Sequence, residues 1–208
     1  MFPAAASTAA PQVDALYIYL VVLSVVMTTL IFIAIGFFAY KYRRRSPEDP
    51  MPRAIHGSLP MEVTWSVIPF LFMLVMFAWG TKLYFENYTP PRNTLDIYVV
   101  GKQWMWKVQY PDGQREINEL HIPVDRPVKL ILTSEDVIHD FFVRELRTKQ
   151  DIVPGMEIPL EIHVDRPGEY EIACAELCGL GHSQMRSLMI VMEAAAFDKW
   201  KSGMESAK

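Results

Sequence analysis

The residues of this chain best suited to metal chemistry fall within twelve positions, CAELCGLGHSQM at 174–185. Both cysteines of the 208-residue chain lie here, spaced Cys-x3-Cys-x3-His-x2-Met with His182 and Met185. Thiolate, imidazole and thioether make a soft donor set, which suits copper far better than magnesium or calcium. Four readings compete. A Cys174–Cys178 disulfide is the default for a cysteine pair in an oxidising compartment, but it leaves His182 and Met185 without a role. A zinc site is poorly served by a thioether, and the spacing is unlike that of a zinc finger. A mononuclear blue-copper site would take Cys178, His182, Met185 and an upstream imidazole, His139 in SEDVIHDFF, and would leave Cys174 idle. A dinuclear copper site uses every donor. Both thiolates bridge two metals, His139 and His182 give one imidazole each, and Met185 and a loop carbonyl supply the weak ligands. Saturated coordination of that kind suits electron transfer rather than bond making.

Donors 35 residues apart need a rigid frame, and the sequence after residue 95 reads as strands. MEIPLEIHV alternates, with Met156, Ile158, Leu160, Ile162 and Val164 on one face. PVKLILTS places Val128, Leu130 and Leu132 on one face. LDIYVVG, QWMWKVQY, EINELHIP, GEYEIAC and SLMIVME are further short strands, punctuated by PDG, DRP and VPG turns. This spacing predicts a β-sandwich or Greek-key barrel. AAAFDKWKSGME closes the chain as a short amphipathic helix.

The first 85 residues have a different grammar. Residues 15–40 form a run of 26 without a charge, about 39 Å of helix against a hydrocarbon core of about 30 Å. KYRRRSPEDP follows, and its Lys41, Arg43, Arg44 and Arg45 assign that end to the cytoplasm. A second uncharged run, 63–81, holds Pro69 and has Trp65 and Trp79 near its ends. The expected organisation is an outer N-terminal lead at 1–14, expected to be disordered, and a transmembrane hairpin at 15–85. The hairpin has spans at 15–40 and 63–82 and a cytoplasmic loop at 41–62. A linker follows at 86–94, then an outer β-domain at 95–208. Residues 1–85 carry six basic and four acidic side chains, and residues 86–208 fourteen and twenty. An acidic outer domain attracts basic partners and excludes nucleic acid. No Cys-x-x-Cys-His is present, so that motif attaches no haem.

These features together resemble subunit II of cytochrome c oxidase over nearly the whole chain. That family carries its dinuclear copper A centre on Cys-x-Glu-x-Cys-x3-His-x2-Met, and all five positions are matched by Cys174, Glu176, Cys178, His182 and Met185. The segment SEDVIHDFFVRELRTKQDIVPGM resembles the family's stretch around its first copper histidine. The resemblance implies a cupredoxin-like Greek-key sandwich behind the two-helix hairpin. It implies two copper ions bridged by Cys174 and Cys178, one with His139 and Met185, the other with His182 and the Glu176 carbonyl. It gives the Glu176 carboxylate a possible magnesium ion shared with subunit I, which is carboxylate chemistry. Trp104 in GKQWMWKVQY matches the family's electron-uptake tryptophan, whereas Trp106 reads as strand packing. Glu62 lies in a Pro-x-Glu-x-x-Trp setting that matches the mouth of a proton path. Glu135 and Asp136 are candidate docking acids. His56, His121 and His163 read as surface histidines.

The implied protein is the electron-uptake part of an oxidase complex in a bacterial inner membrane, with its N-terminus and C-terminal domain on the periplasmic side and lipid around its hairpin. It takes electrons from cytochrome c and passes them to haem in subunit I. There oxygen is reduced and protons are translocated, alongside other oxidase subunits; this chain has no oxygen-reducing site of its own. A quinol oxidase subunit would lack the copper ligands, and nitrous oxide reductase would lack the hairpin. A membrane-tethered copper carrier is the rival from another class, and it would bind copper exchangeably.

Overall fold

The computed structural model describes residues 2–50, 57–88 and 93–205. His56 lies outside the described residues. Two helices come first, α1 (Ala10–Lys41) and α2 (Leu59–Tyr88). Both extend beyond the uncharged runs at each end. Ser7 starts α1: its Oγ accepts the Ala10 N–H at 3.1 Å. Glu62 falls in the first turn of α2, where a carboxylate complements the helix dipole. The two helices touch near Tyr19 and Trp79, whose rings are 5.9 Å apart. Elsewhere Val25, Phe32, Ile33, Phe70 and Phe77 stand exposed. Apolar side chains uncovered around a whole helix are disfavoured in water and favoured in lipid.

The remainder is a sandwich of two five-stranded sheets. The strands are β1 (Leu95–Lys102), β2 (Met105–Gln109), β3 (Arg115–Ile117), β4 (Glu119–Pro123), β5 (Val128–Ser134), β6 (His139–Val143), β7 (Thr148–Ile152), β8 (Ile158–Ile162), β9 (Gly168–Cys174) and β10 (Arg186–Met192). One sheet has the order β3-β2-β1-β5-β8 and the other β4-β10-β9-β6-β7. The chain therefore passes from sheet to sheet five times. β1 pairs in parallel with β5, and β4 with β10. Alternate side chains point into the shared core. Ile97, Val99, Trp106, Leu130 and Leu132 come from the first sheet, and Leu120, Ile122, Phe141, Ile172 and Met189 from the second. Each large apolar side chain so buried stabilises the fold by about 1.5–3 kcal/mol. The expected faces of 128–132 and 158–164 hold, except that Met156 is exposed.

Three expectations need correction. EINELHIP is two strands, β3 and β4, in different sheets, because the chain turns at Asn118, whose φ is +59°. The N-terminal lead is ordered on the β-domain. Ala6 N–H donates to the Glu145 carbonyl at 3.1 Å, Thr8 N–H to the His163 carbonyl at 3.3 Å, and Asp165 N–H to the Ala6 carbonyl at 3.2 Å. Ala6 and Ser7 are buried there, because strand-like pairing satisfies their backbone groups. His121 is buried rather than on the surface. The closing helix α3 (Ala194–Glu205) covers the outer face of β4, and its Trp200 stacks on the His121 ring at 4.3 Å. The imidazole Nδ1 lies 2.9 Å from Glu116 Oε2. His163 is half-buried.

Candidate metal centre

Three adjacent strands bring the donors to one end of the second sheet. β9 lies between β10 and β6, with Phe141 opposite Cys174 and Arg186 opposite Ala173. This register sets His139 at the start of β6, Cys174 at the end of β9 and Met185 just before β10. The Cys174 N–H donates to the Met185 carbonyl at 3.2 Å and closes the neck of the loop between them. Within the loop His182 N–H donates to the Gly179 carbonyl at 3.1 Å, and the 3-10 turn His182–Gln184 follows. Cys178 and His182 are thereby folded back over the strand ends.

The donor atoms form one cluster. Cys174 Sγ lies 3.7 Å from Cys178 Sγ, 3.9 Å from His139 Nδ1 and 3.2 Å from the Glu176 carbonyl oxygen. Cys178 Sγ lies 3.6 Å from His182 Nδ1 and 3.7 Å from Met185 Sδ. Each sulfur thus faces one imidazole and one weak donor. Both cysteines are free thiols, and their separation far exceeds the about 2.05 Å of a disulfide. His139, Cys174, Cys178 and Met185 are buried. Burial, and then the Cys174 thiol beside it, pushes the Cys178 thiol up to about 12. A cation that binds here must displace that proton.

The outer shell orients the ring of His139. Its Nε2 lies 2.8 Å from Asp136 Oδ1, so Nδ1 is the nitrogen turned to Cys174. Burial acts against the Asp136 charge, but the Gln103 N–H, the His139 ring and the Val137 N–H outweigh it and hold the carboxyl at about 2. Asp136 thus orients the His139 ring, a contact the sequence reading of it as a docking acid did not include. Glu135 is bound by Lys102 at 3.1 Å and Lys107 at 2.6 Å on the surface.

Two family models match the chain: cytochrome c oxidase subunit II, transmembrane domain, over residues 1–82, and cytochrome c oxidase subunit II, periplasmic domain, over residues 115–195. The chain belongs to the cytochrome c oxidase subunit II family. It is 33% identical over 196 residues to cytochrome c oxidase subunit 2 of Alkalihalophilus pseudofirmus, a match that covers 91% of this chain and 56% of the relative. It is 26% identical over 247 residues to the subunit 2 of Synechocystis sp., covering 96% of this chain and 74% of that one. The chain thus spans little more than half the length of the first relative. Among solved structures, the periplasmic domain of subunit II of cytochrome oxidase of Bradyrhizobium japonicum superposes with a TM-score of 0.54 at 27% identity, over 57% of this chain and 99% of that one. The transmembrane family match and the two long apolar helices make this subunit II family member a membrane-anchored chain.

Other residues of interest in this family member lie around the centre or away from it. Trp104 sits in the turn between β1 and β2 and is 40% exposed, whereas Trp106, two residues on, is fully buried edge-on to Phe141 at 5.5 Å. Gln103 Nε2 donates to the Cys178 carbonyl at 2.7 Å and ties that turn to the donor loop. Leu177 and Leu180 project from the loop, 77% and 99% exposed. The Glu176 side chain is exposed although its carbonyl faces Cys174. Glu62 is on the other compact unit, far along the chain from these donors. Gln103, the two leucines and the contact of Asp136 with His139 escape sequence reading because they depend on how the donor loop meets the β1–β2 and β5–β6 connections. The only local signal was the Asp-x-x-His spacing of Asp136 and His139.

Proposed function

We propose that this chain is the electron-uptake subunit of a cytochrome c oxidase, holding a dinuclear copper A centre on Cys174, Cys178, His139, His182, Met185 and the Glu176 carbonyl. The single observation that carries this reading is the set of six converging donors with both thiols free. When bound, the copper pair supplies one-electron storage with little structural change. The chain's own residues prepare for that. The strand register fixes His139, Cys174 and Met185 before any metal arrives, and Asp136 holds the His139 ring in one orientation. Burial keeps water from the thiolates. The exposed Trp104, Leu177 and Leu180 offer apolar surface to a partner. The acidic excess of residues 86–208 steers a basic cytochrome c toward it.

Electrons then pass to haem in subunit I, where oxygen is reduced with proton translocation. On this reading the exposed Glu176 carboxylate ligates a magnesium ion shared with subunit I. The N-terminus and the β-domain face the periplasm of a bacterial inner membrane, since Arg43, Arg44 and Arg45 retain the α1–α2 connection in the cytoplasm. Glu62, at the cytoplasmic start of α2, collects protons for subunit I. Replacing it by Ala should reduce steady-state turnover and leave copper reduction by cytochrome c unaltered. Wild-type turnover in Glu62→Ala would reduce it to a helix-start charge. The test of the whole reading is copper content with electron paramagnetic resonance: two coppers per chain and a seven-line hyperfine pattern. One copper with four lines would refute the dinuclear centre. Copper that a mild chelator strips at once would favour a carrier.

A further inference from the structure

Two glycines of the donor loop have different reasons to be glycine. Gly179 has φ +120°, a conformation that side chains rarely adopt. Gly181 has φ −90° and ψ 9°, which any residue can take. Its backbone therefore does not require glycine, yet the space above it does. A Cβ on Gly181 would lie 2.7 Å from Cγ and 2.8 Å from Cε3 of Trp104, and nearer still to Cδ2. These are ring atoms, not the tip of a flexible chain, so the whole indole would have to move. The adjacent Gln103 ties the same turn to the loop through its hydrogen bond to the Cys178 carbonyl.

We infer that Gly181 and Gln103 are positioning residues for Trp104: together they seat the indole directly on the backbone of the copper-ligand loop, next to Cys178 and His182, and that seat sets the rate of electron uptake. This rests on the reading of Trp104 as the uptake residue. Neither residue need touch the electron donor or the metal. Their effect runs through the distance between the indole and the loop, because electron transfer weakens steeply with separation. The exposed Trp104 then has one face for the donor and one pressed against the loop, with no side chain between.

The test uses the full-length chain in the assembled oxidase, with cytochrome c as donor. Gly181→Ala should slow reduction of the copper centre at saturating donor by up to about 100-fold, the scale for an ångström-sized displacement of a reacting group. The donor concentration for half saturation should stay unchanged, and the resonance spectrum of the coppers should keep its shape. Oxidative footprinting of the full-length chain should find Trp104 more reactive in Gly181→Ala than in the wild type, a readout that needs no turnover. In a Trp104→Ala background, Gly181→Ala should cause no further slowing, since the partner it displaces is gone. Gln103→Ala adds no bulk to the loop and should slow uptake in the same direction by a smaller factor, so it decides the matter if Gly181→Ala fails to hold copper. Wild-type uptake in both variants, or equal slowing by Gly181→Ala with and without Trp104, overturns the seat. Wild-type uptake in Trp104→Ala brings down the uptake reading beneath it, and the footprint still reports whether Gly181 seats the ring.

Discussion

His121 and His139 lie on strands of the same sheet, both buried and both within 2.8–2.9 Å of a carboxylate oxygen. Glu116 partners the first and Asp136 the second. Their surroundings differ on the side away from the acid. The His139 ring turns its other nitrogen to a free thiol at 3.9 Å, at an open strand end. The His121 ring is covered by Trp200 at 4.3 Å, in a hydrogen-bonded knot where Tyr110 Oη donates to Glu116 Oε2 at 2.9 Å. A carboxylate oxygen of Glu119 also lies within 4.8 Å of that pair. A histidine–carboxylate pair is thus no signature of a metal site by itself. What favours His139 as a ligand in the proposed centre is a second nitrogen aimed at soft donors, and what favours a structural part for His121 is an aromatic lid.

The largest effect should come from exchanging the chemistry of the two rings. His139→Asn should abolish the seven-line copper spectrum, whereas His121→Asn should leave two coppers per chain. Two coppers retained in His139→Asn would erase the distinction. Next, Asp136→Asn should weaken copper retention roughly 10–100-fold, the usual cost of losing a ligand's hydrogen-bond partner. Competition against a chelator of known affinity measures this, and an unchanged affinity would leave Asp136 a surface loop acid. His121→Gln should keep the copper but lower unfolding free energy by about 1–3 kcal/mol, because Glu116 and Tyr110 lose a buried partner. Denaturant titration of the metal-free chain checks it. The smallest structural effect is expected for Met185→Leu, which should keep both coppers and shift only their potential in a redox titration, since a weak axial ligand tunes more than it holds.

The donor loop was legible because its chemistry is local: four side chains within twelve residues, of types seldom placed together without a metal. β1, β5 and β8–β10 were legible because alternation and turn residues mark them. β6 and β7 were not singled out. β6 is internal to its sheet, and four of its five residues are buried, so it has no alternating face; β7 is a polar strand, TKQDI, at the sheet edge. His121 was misjudged because the residue that covers it, Trp200, comes 79 positions later. Gly181 carried no signal at all, since its meaning depends on an indole that arrives from a turn in the opposite sheet. Close-range chemistry could be read from the chain, and contacts that fold topology creates could not.

The hydrogen bonds from Ala6, Thr8 and Asp165 that fasten residues before α1 to the β-domain impose a rule of parity. Two stretches of one polypeptide can hydrogen-bond only in the same aqueous compartment, so the chain between residue 9 and residue 95 must cross the bilayer an even number of times. This excludes an odd number of crossings without reference to hydropathy or to the arginine cluster. The lead is made before its partners and waits without them until the chain around Glu145, His163 and Asp165 has reached the same compartment. A bulky fusion placed ahead of Phe2 must lie in that same compartment, and the seam at Ala6 is where it would interfere.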